Sequence, residues 1–286
     1  LKKSGQHIQQ FDLSPSAKAG VFVINMQEVE LKEEEHDIYA PHRDKHYLLM
    51  IAIKGHYKLM LDFKELIIDA PAMLMIFPGQ VHHILEIQQP QGWSVNFDPS
   101  LISETFQRVL EKGFATPLIP DPSLLQQMVT LSELINELQS GEQDAYTGRS
   151  THELLAAMLS ILAGKFSLLS AGNKIKENRS SIIEQDFNQL LQLHYKTWKQ
   201  PALYAKALSI SVAHLNESVK NISGFPVSVQ IQQKSILEAR RLLYFTKLSV
   251  KEIGYELGYD NPVYFSKLFK KITSFTPLEF REQYHD

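Results

Sequence analysis

The sequence has no cysteine among its 286 residues, so disulfides, thiolate nucleophiles and cysteine-ligated metals are excluded. It has no apolar run approaching the roughly 20 residues of a membrane span. The opening stretch, Leu1 to His7, is too polar to hold the apolar core of an export signal. These absences suit a reducing compartment, and the expectation is a cytoplasmic chain with no membrane partner. Net charge is also small, −3 overall, but that figure hides a split. Residues 174–286 carry 16 Lys and Arg against 11 Asp and Glu, a balance of +5, and residues 1–173 carry 13 against 21, a balance of −8. Basic charge on the carboxy-terminal part attracts phosphate, while the acidic part repels it. With 44% hydrophobic residues there is material for two separate cores.

The carboxy-terminal part is strongly patterned. Val250, Ile253 and Leu257 fall at helical spacing, Gly258 stops that helix, and Asp260 or Asn261 can cap the next, with Pro262 in its first turn. Val263, Phe265, Leu268, Phe269 and Ile272 give the second helix its apolar surface, leaving Ser266, Lys267, Lys270 and Lys271 for its other sides. Such a pair is either a helix-turn-helix, whose second helix enters the DNA major groove, or a plain helical hairpin with a solvated lysine face. Residues 202–220 repeat the plan: a helix ends near Leu208, Ser211 is a good N-cap, and Leu215 and Val219 point inward. The two second helices begin near Val212 and Pro262, 50 residues apart, and a long helical pattern from Val227 to Phe245 joins them. Two reading heads on one connecting helix can enter successive major grooves, about 34 Å apart. Generic packing seldom duplicates such a unit, and the repeat favours DNA.

The motifs Ala239-x-x-Leu242-Leu243, Val250-x-x-Ile253, Leu257-Gly258-Tyr259, Tyr264-Phe265-Ser266-Lys267-x-Phe269-Lys270 and Thr276-Pro277-x-x-Phe280-Arg281 stand at characteristic spacings. On these residues the segment 181–286 resembles the DNA-binding domain of the AraC/XylS family of bacterial transcription regulators. The resemblance implies a regulator, by family habit an activator working with RNA polymerase, that binds double-stranded promoter DNA. It places Ala213, Asn216 and Glu217 of the first unit, and Val263, Ser266 and Lys267 of the second, on the base-reading face. Asn216 could pair with adenine and Lys267 with guanine. Lys220, Lys270 and Lys271 suit phosphate contacts, and His214 either role or packing; Ser211 and Asn261, at the two helix starts, complete the expected DNA-binding set. Four positions depart from the family pattern: Gly254 for the usual alanine, Ser274 for glycine, Ser235 for arginine, and Glu217 where a basic residue is usual. Glu217 either accepts a hydrogen bond from cytosine or repels phosphate; the expectation here is repulsion and a weakly binding first unit.

The amino-terminal part reads as β structure. Strands are expected at Tyr47 to Ile53, around Tyr57 to Leu61, at Leu66 to Ile68, Ala72 to Phe77, Val81 to Ile87 and Trp93 to Phe97, with a turn at Asp62 to Glu65. Pro41 to Tyr47 and Phe77 to His82 resemble the cupin-like sensory domain that precedes many AraC-type modules. The fold class expected is therefore α+β and multidomain: a cupin-like β-barrel with a helical hairpin, then an all-α domain with two helix-turn-helix units. Domain boundaries are expected at 1–170, with a linker over 171–181 and the DNA-binding domain over 182–286. A small-molecule effector site is expected from some of His42, His46, Tyr47, His82, Trp93 and Asn96.

No metal is expected. Many cupin enzymes hold one with two histidines and a carboxylate on one strand plus a later histidine, but here no Glu stands at the expected spacing. His42 and His46 would lie about 13 Å apart on a regular strand, and His82 and His83 would face opposite ways; a satisfied or surface role is the default for each. No catalytic residue, cofactor or enzyme activity is expected. Apolar residues at helical spacing in 122–140 and 150–170 give a helical hairpin that either packs back on the barrel or pairs with a second subunit, and family precedent favours a homodimer there. Two alternatives stay open: a cupin-type metal enzyme with an appended helical module, and a DNA binder without an effector.

Overall fold

In a computed structural model of the chain, the residues described are 8–27, 37–102, 104–114, 116–142, 144, 146–169 and 179–284. They fall into two compact units, one of Gln9–Lys174 and one that includes Ile175–Asp286. No helix among the described residues is long and apolar enough to cross a membrane. Of the expected linker, residues 171–178 lie outside the described set, and Arg179 to Ser181 already belong to a helix, with Ser181 buried.

The first unit is built on strands β1 (Gln9–Phe11), β2 (Val21–Asn25), β3 (His42–Asp44), β4 (Tyr47–Leu61), β5 (Lys64–Asp69), β6 (Ala72–Ile76) and β7 (Val81–Phe97). They form one mixed sheet in the order β1-β3-β7-β4-β5, with β2 also on β7 and β6 also on β4. Alternation along β4 divides two cores. Tyr47, Leu49 and Ile51 pack with Val95 and Phe97 toward the helices, while Met50 and Ala52 pack with Tyr57, Leu59, Ile68 and Leu74. The expected breaks near Gly55 and between Ile87 and Trp93 do not occur. β4 and β7 run 15 and 17 residues and pair along most of their length, with register shifts at Ala52/Lys54, Lys54/His56 and Lys58/Leu59. Gly55 and Gly92, at φ +109° and +144°, let each strand bend where a bulkier residue would end it.

Among the described residues, three α-helices complete this unit: α1 (Glu104–Gly113), α2 (Pro122–Ser140) and α3 (Thr147–Leu169). Leu110 and Phe114 from the α1 segment, Leu124, Met128 and Ile135 from α2, and Leu155, Met158, Leu162 and Phe166 from α3 cover the sheet face. α3 begins three residues before the expected segment because Asp144 Oδ1 accepts from the Thr147 backbone N–H at 2.7 Å and so caps the helix start. α1 is absent from the sequence-based expectation, although Phe106, Val109 and Leu110 stand at helical spacing.

In the second unit the described residues form α4 (Arg179–His194), α5 (Pro201–Ala207), α6 (Val212–Ser223), α7 (Val227–Phe245), α8 (Val250–Glu256), α9 (Pro262–Thr273) and α10 (Pro277–Tyr284). The six residues expected in its core, Leu215, Val219, Ile253, Leu257, Phe265 and Phe269, are all fully buried. α6 and α9 end alike, on left-handed residues 50 positions apart: Gly224 at φ +80° and Ser274 at φ +69°. Glycine carries no Cβ penalty there, but serine does. Ser274→Gly should therefore stabilise the second unit by about 0.5–1 kcal/mol. Urea unfolding would show it as a higher midpoint at unchanged slope; a lower midpoint would contradict it.

Candidate nucleic-acid interface

Both candidate recognition helices are fixed at their first turn by their own N-caps. Ser211 Oγ accepts from the His214 N–H at 3.1 Å, and Asn261 Oδ1 accepts from Val263 and Tyr264 at 2.9 and 3.1 Å. These side-chain oxygens organise the helix starts, which are themselves favourable to phosphate. Downstream, the 50-residue repeat aligns the exposed faces residue by residue. Ala213 corresponds to Val263, Glu217 to Lys267 and Lys220 to Lys270; all six are exposed, as is Lys271. His214 is half-buried, and its counterpart Tyr264 is exposed. The α9 face is basic, whereas α6 puts a carboxylate where α9 has Lys267.

Asn216 also has a bond within the fold. Its Oδ1 accepts from the Val227 N–H at 3.1 Å, and so it supplies the cap that Pro226, at the start of α7, cannot. A bidentate contact to adenine uses that same oxygen as acceptor, through its second lone pair, so the bond to Val227 gives Asn216 a role in holding α7 against α6 beside the expected one. The repeat shows why only the first unit needs this bond. Val227 corresponds to Pro277, which has no N–H. Ser266, the counterpart of Asn216, is half-buried and instead donates to the Pro262 carbonyl at 2.9 Å.

The loop between α4 and α5 braces the second turn. Gly258, at φ +76°, runs so close to the Lys196 carbonyl that a Cβ would overlap it. Lys196 Nζ reaches Glu256 Oε1 at 3.3 Å. Lys199 Nζ donates to the Tyr195 carbonyl at 2.6 Å and to Ser235 Oγ at 3.2 Å, and lies 4.3 Å from the Tyr259 ring centre. Burial, with the Lys196 charge adding to it, brings the Lys199 ammonium down to about 8. A cation thus reaches the fully buried Ser235 from another segment, at a position where the family pattern has arginine on α7 itself.

In the first unit the expected effector residues divide into two groups. Tyr47 stacks on Phe97 at 5.0 Å and, with Trp93, belongs to the helix-facing core. Burial and the nearby Glu111 carboxylate raise its phenol above the ordinary range. Asn96 ties β7 to β2 through the Phe22 carbonyl at 3.2 Å. His42, His46 and His82, by contrast, gather around Asp44, all four buried. β3 pairs with β7 so that His42 faces His82, with ring centres 4.3 Å apart. Asp44, two residues along β3, falls on the same side. Its Oδ2 lies 3.4 Å from His82 Nε2 and 3.8 Å from His46 Nε2. The regular-strand separation expected between His42 and His46 does not apply, because β3 ends at Asp44 and the chain bends there. Burial alone would raise the Asp44 carboxyl, but His82, His46 and His42 outweigh it and hold it below its ordinary value. Asp44 is the residue that sequence reasoning missed; its spacing to His42 was visible, but the pairing with His82 was not.

Comparison with known proteins matches two separate segments of the chain. Residues 27–159 match an AraC-like ligand-binding domain, and residues 204–283 match a helix-turn-helix domain. The arabinose operon regulatory protein of Salmonella typhimurium is 24% identical over 248 residues, 83% of this chain and 84% of that one. The HTH-type transcriptional activator RhaS of an Enterobacter species is 26% identical over 161 residues, 56% of this chain and 55% of that one. Among solved structures, the C-terminal domain of AraT, a response regulator from Geobacillus stearothermophilus, is 28% identical, covering 37% of this chain and 88% of that domain with a TM-score of 0.35. The chain is a DNA-binding transcription regulator. It carries an AraC-like ligand-binding domain over residues 27–159 and a helix-turn-helix domain over residues 204–283.

Proposed function

We infer that the chain binds a promoter site through α6 and α9, with α9 supplying most of the affinity, and that it does so without enzymatic activity. The observation behind this reading is the 50-residue repeat, which puts like-placed exposed residues on two helices but opposite charges at Glu217 and Lys267. A small-molecule effector in the amino-terminal domain and activation through RNA polymerase follow the habit of the AraC type, and cytoplasmic operation follows from the partner being a promoter. Homodimerisation through 122–170 is supported by a groove between α2 and α3 that includes Leu134, Leu138, Tyr146 and Leu154; Leu134 and Tyr146 are exposed there.

Glu217→Arg tests the division of labour between the two helices. Removing a repulsive charge and adding a phosphate partner should raise operator affinity and steepen the dependence of log K on log salt by about one. Fluorescence anisotropy over a salt series would measure both. A loss of affinity confined to operators with one particular base pair would instead assign the carboxylate to cytosine N4.

A further inference from the structure

The Asp44 cluster has a composition that the regulatory reading does not use. Asp44 is 2% exposed, and neither carboxylate oxygen accepts a hydrogen bond from the described residues. Around it stand imidazoles whose tautomers are set from outside. His42 Nδ1 lies 2.8 Å from the Ala40 carbonyl and His82 Nδ1 3.3 Å from the Gln80 carbonyl. A carbonyl can only accept, so each Nδ1 carries the proton and donates it. In the neutral ring that leaves Nε2 as the basic nitrogen, and His82 directs it at Asp44. Basic nitrogens and a carboxylate converging in a buried space call for a cation among them, either a proton on an imidazole or a metal ion held by all of them. Backbone carbonyls that fix ligand tautomers are what a metal centre requires of its surroundings.

The distances fit an ion. One ligand atom from each of His42, Asp44 and His82 can be chosen so that all lie within 4.8 Å of one another. Around a tetrahedral ion with bonds of about 2.0–2.1 Å, neighbouring ligand atoms stand about 3.3 Å apart. The His82 Nε2 to Asp44 Oδ2 separation is already 3.4 Å. His46, 3.8 Å from the same oxygen, stands beside the trio, and Phe11 covers His42 edge-on at 5.5 Å. We propose that His42, Asp44 and His82 bind one divalent first-row transition-metal ion, of the zinc or iron(II) class, as a ligand of the sensory domain. Two imidazoles and one carboxylate suit these ions and leave coordination positions open for water or a chelating small molecule. The ion would tie β3 to β7.

The full chain, stripped with a chelator, would be titrated with zinc against a chromophoric competitor and followed by thermal melting. One site per chain and a raised Tm are expected. Asp44→Asn and His82→Gln should each weaken that site at least roughly tenfold, while His56→Gln, which removes a surface histidine paired with Asp69 at 2.7 Å, should not. Absence of a stoichiometric site, or equal binding by all three variants, would mean an adventitious ion only and would overturn the proposal. Should a cluster variant fail to fold, cobalt(II) bound to the unaltered chain decides. X-ray absorption showing two imidazole nitrogens and a carboxylate supports the site; a shell of oxygens alone overturns it. DNA takes no part in these measurements, so the operator reading and this one stand or fall separately.

Discussion

Gly258→Ala is expected to unfold the second half of the DNA-binding unit or loosen it beyond use. The left-handed φ costs an alanine about 1–2 kcal/mol by itself. A larger cost comes from the Lys196 carbonyl, against which the new Cβ has no room. Relief requires the α4–α5 loop to retreat, giving up the Lys196–Glu256 ion pair and the Lys199 contacts to Ser235 and Tyr259. The sum should exceed about 3 kcal/mol, a fall in Tm of roughly 10 °C or more for a domain of this size. Operator binding should fall with it. A variant within about 1 kcal/mol of the parent would show that the loop yields easily and does not brace the second turn.

Lys267→Ala and Lys270→Ala should separate in kind. Lys267 lies on the exposed face of α9 at the register of Val263, and Lys270 lies in the last turn, where its carbonyl accepts the N–H of Ser274. If Lys267 donates to a guanine edge, its removal costs about 1–3 kcal/mol on operators carrying that base and little on operators altered there. Lys270→Ala should weaken binding to every operator alike and lower the salt slope by about one. Competition titrations across single-base operator variants would measure both. Equal loss on all operators for Lys267→Ala would reassign it to phosphate.

What the sequence reveals follows the range of the interactions involved. The helical unit is legible because its signals are local. N-caps at Ser211 and Asn261, a Ser249–Glu252 capping box, apolar positions at 3–4 spacing and a 50-residue repeat can all be read along the chain. The bond from Val227 to Asn216 was not legible because the two residues stand 11 apart on successive helices. Only the absence of an N–H at the corresponding Pro277 hints at the asymmetry. In the first unit, strand positions were legible but continuity was not. Glycine marks both turns and bends, and Gly55 and Gly92 prove to be bends. The Asp44 cluster depends on register between strands nearly 40 residues apart, which comparison of His42 with His46 along one strand could not supply. Tyr47 and Trp93 carry the polar edges of an effector site in sequence, yet alternation turns both toward the helices.

The central claim is that α6 and α9 read one duplex together. Hydroxyl-radical footprinting of the full chain on an operator selected from random DNA tests it most directly. Two protected blocks on one face of the helix, about 10–10.5 base pairs apart for each bound chain and more strongly protected at the α9 block, are the result expected. A selected pool no better bound than random competitor at moderate ionic strength, or a single block unaffected by Lys267→Ala, would contradict it.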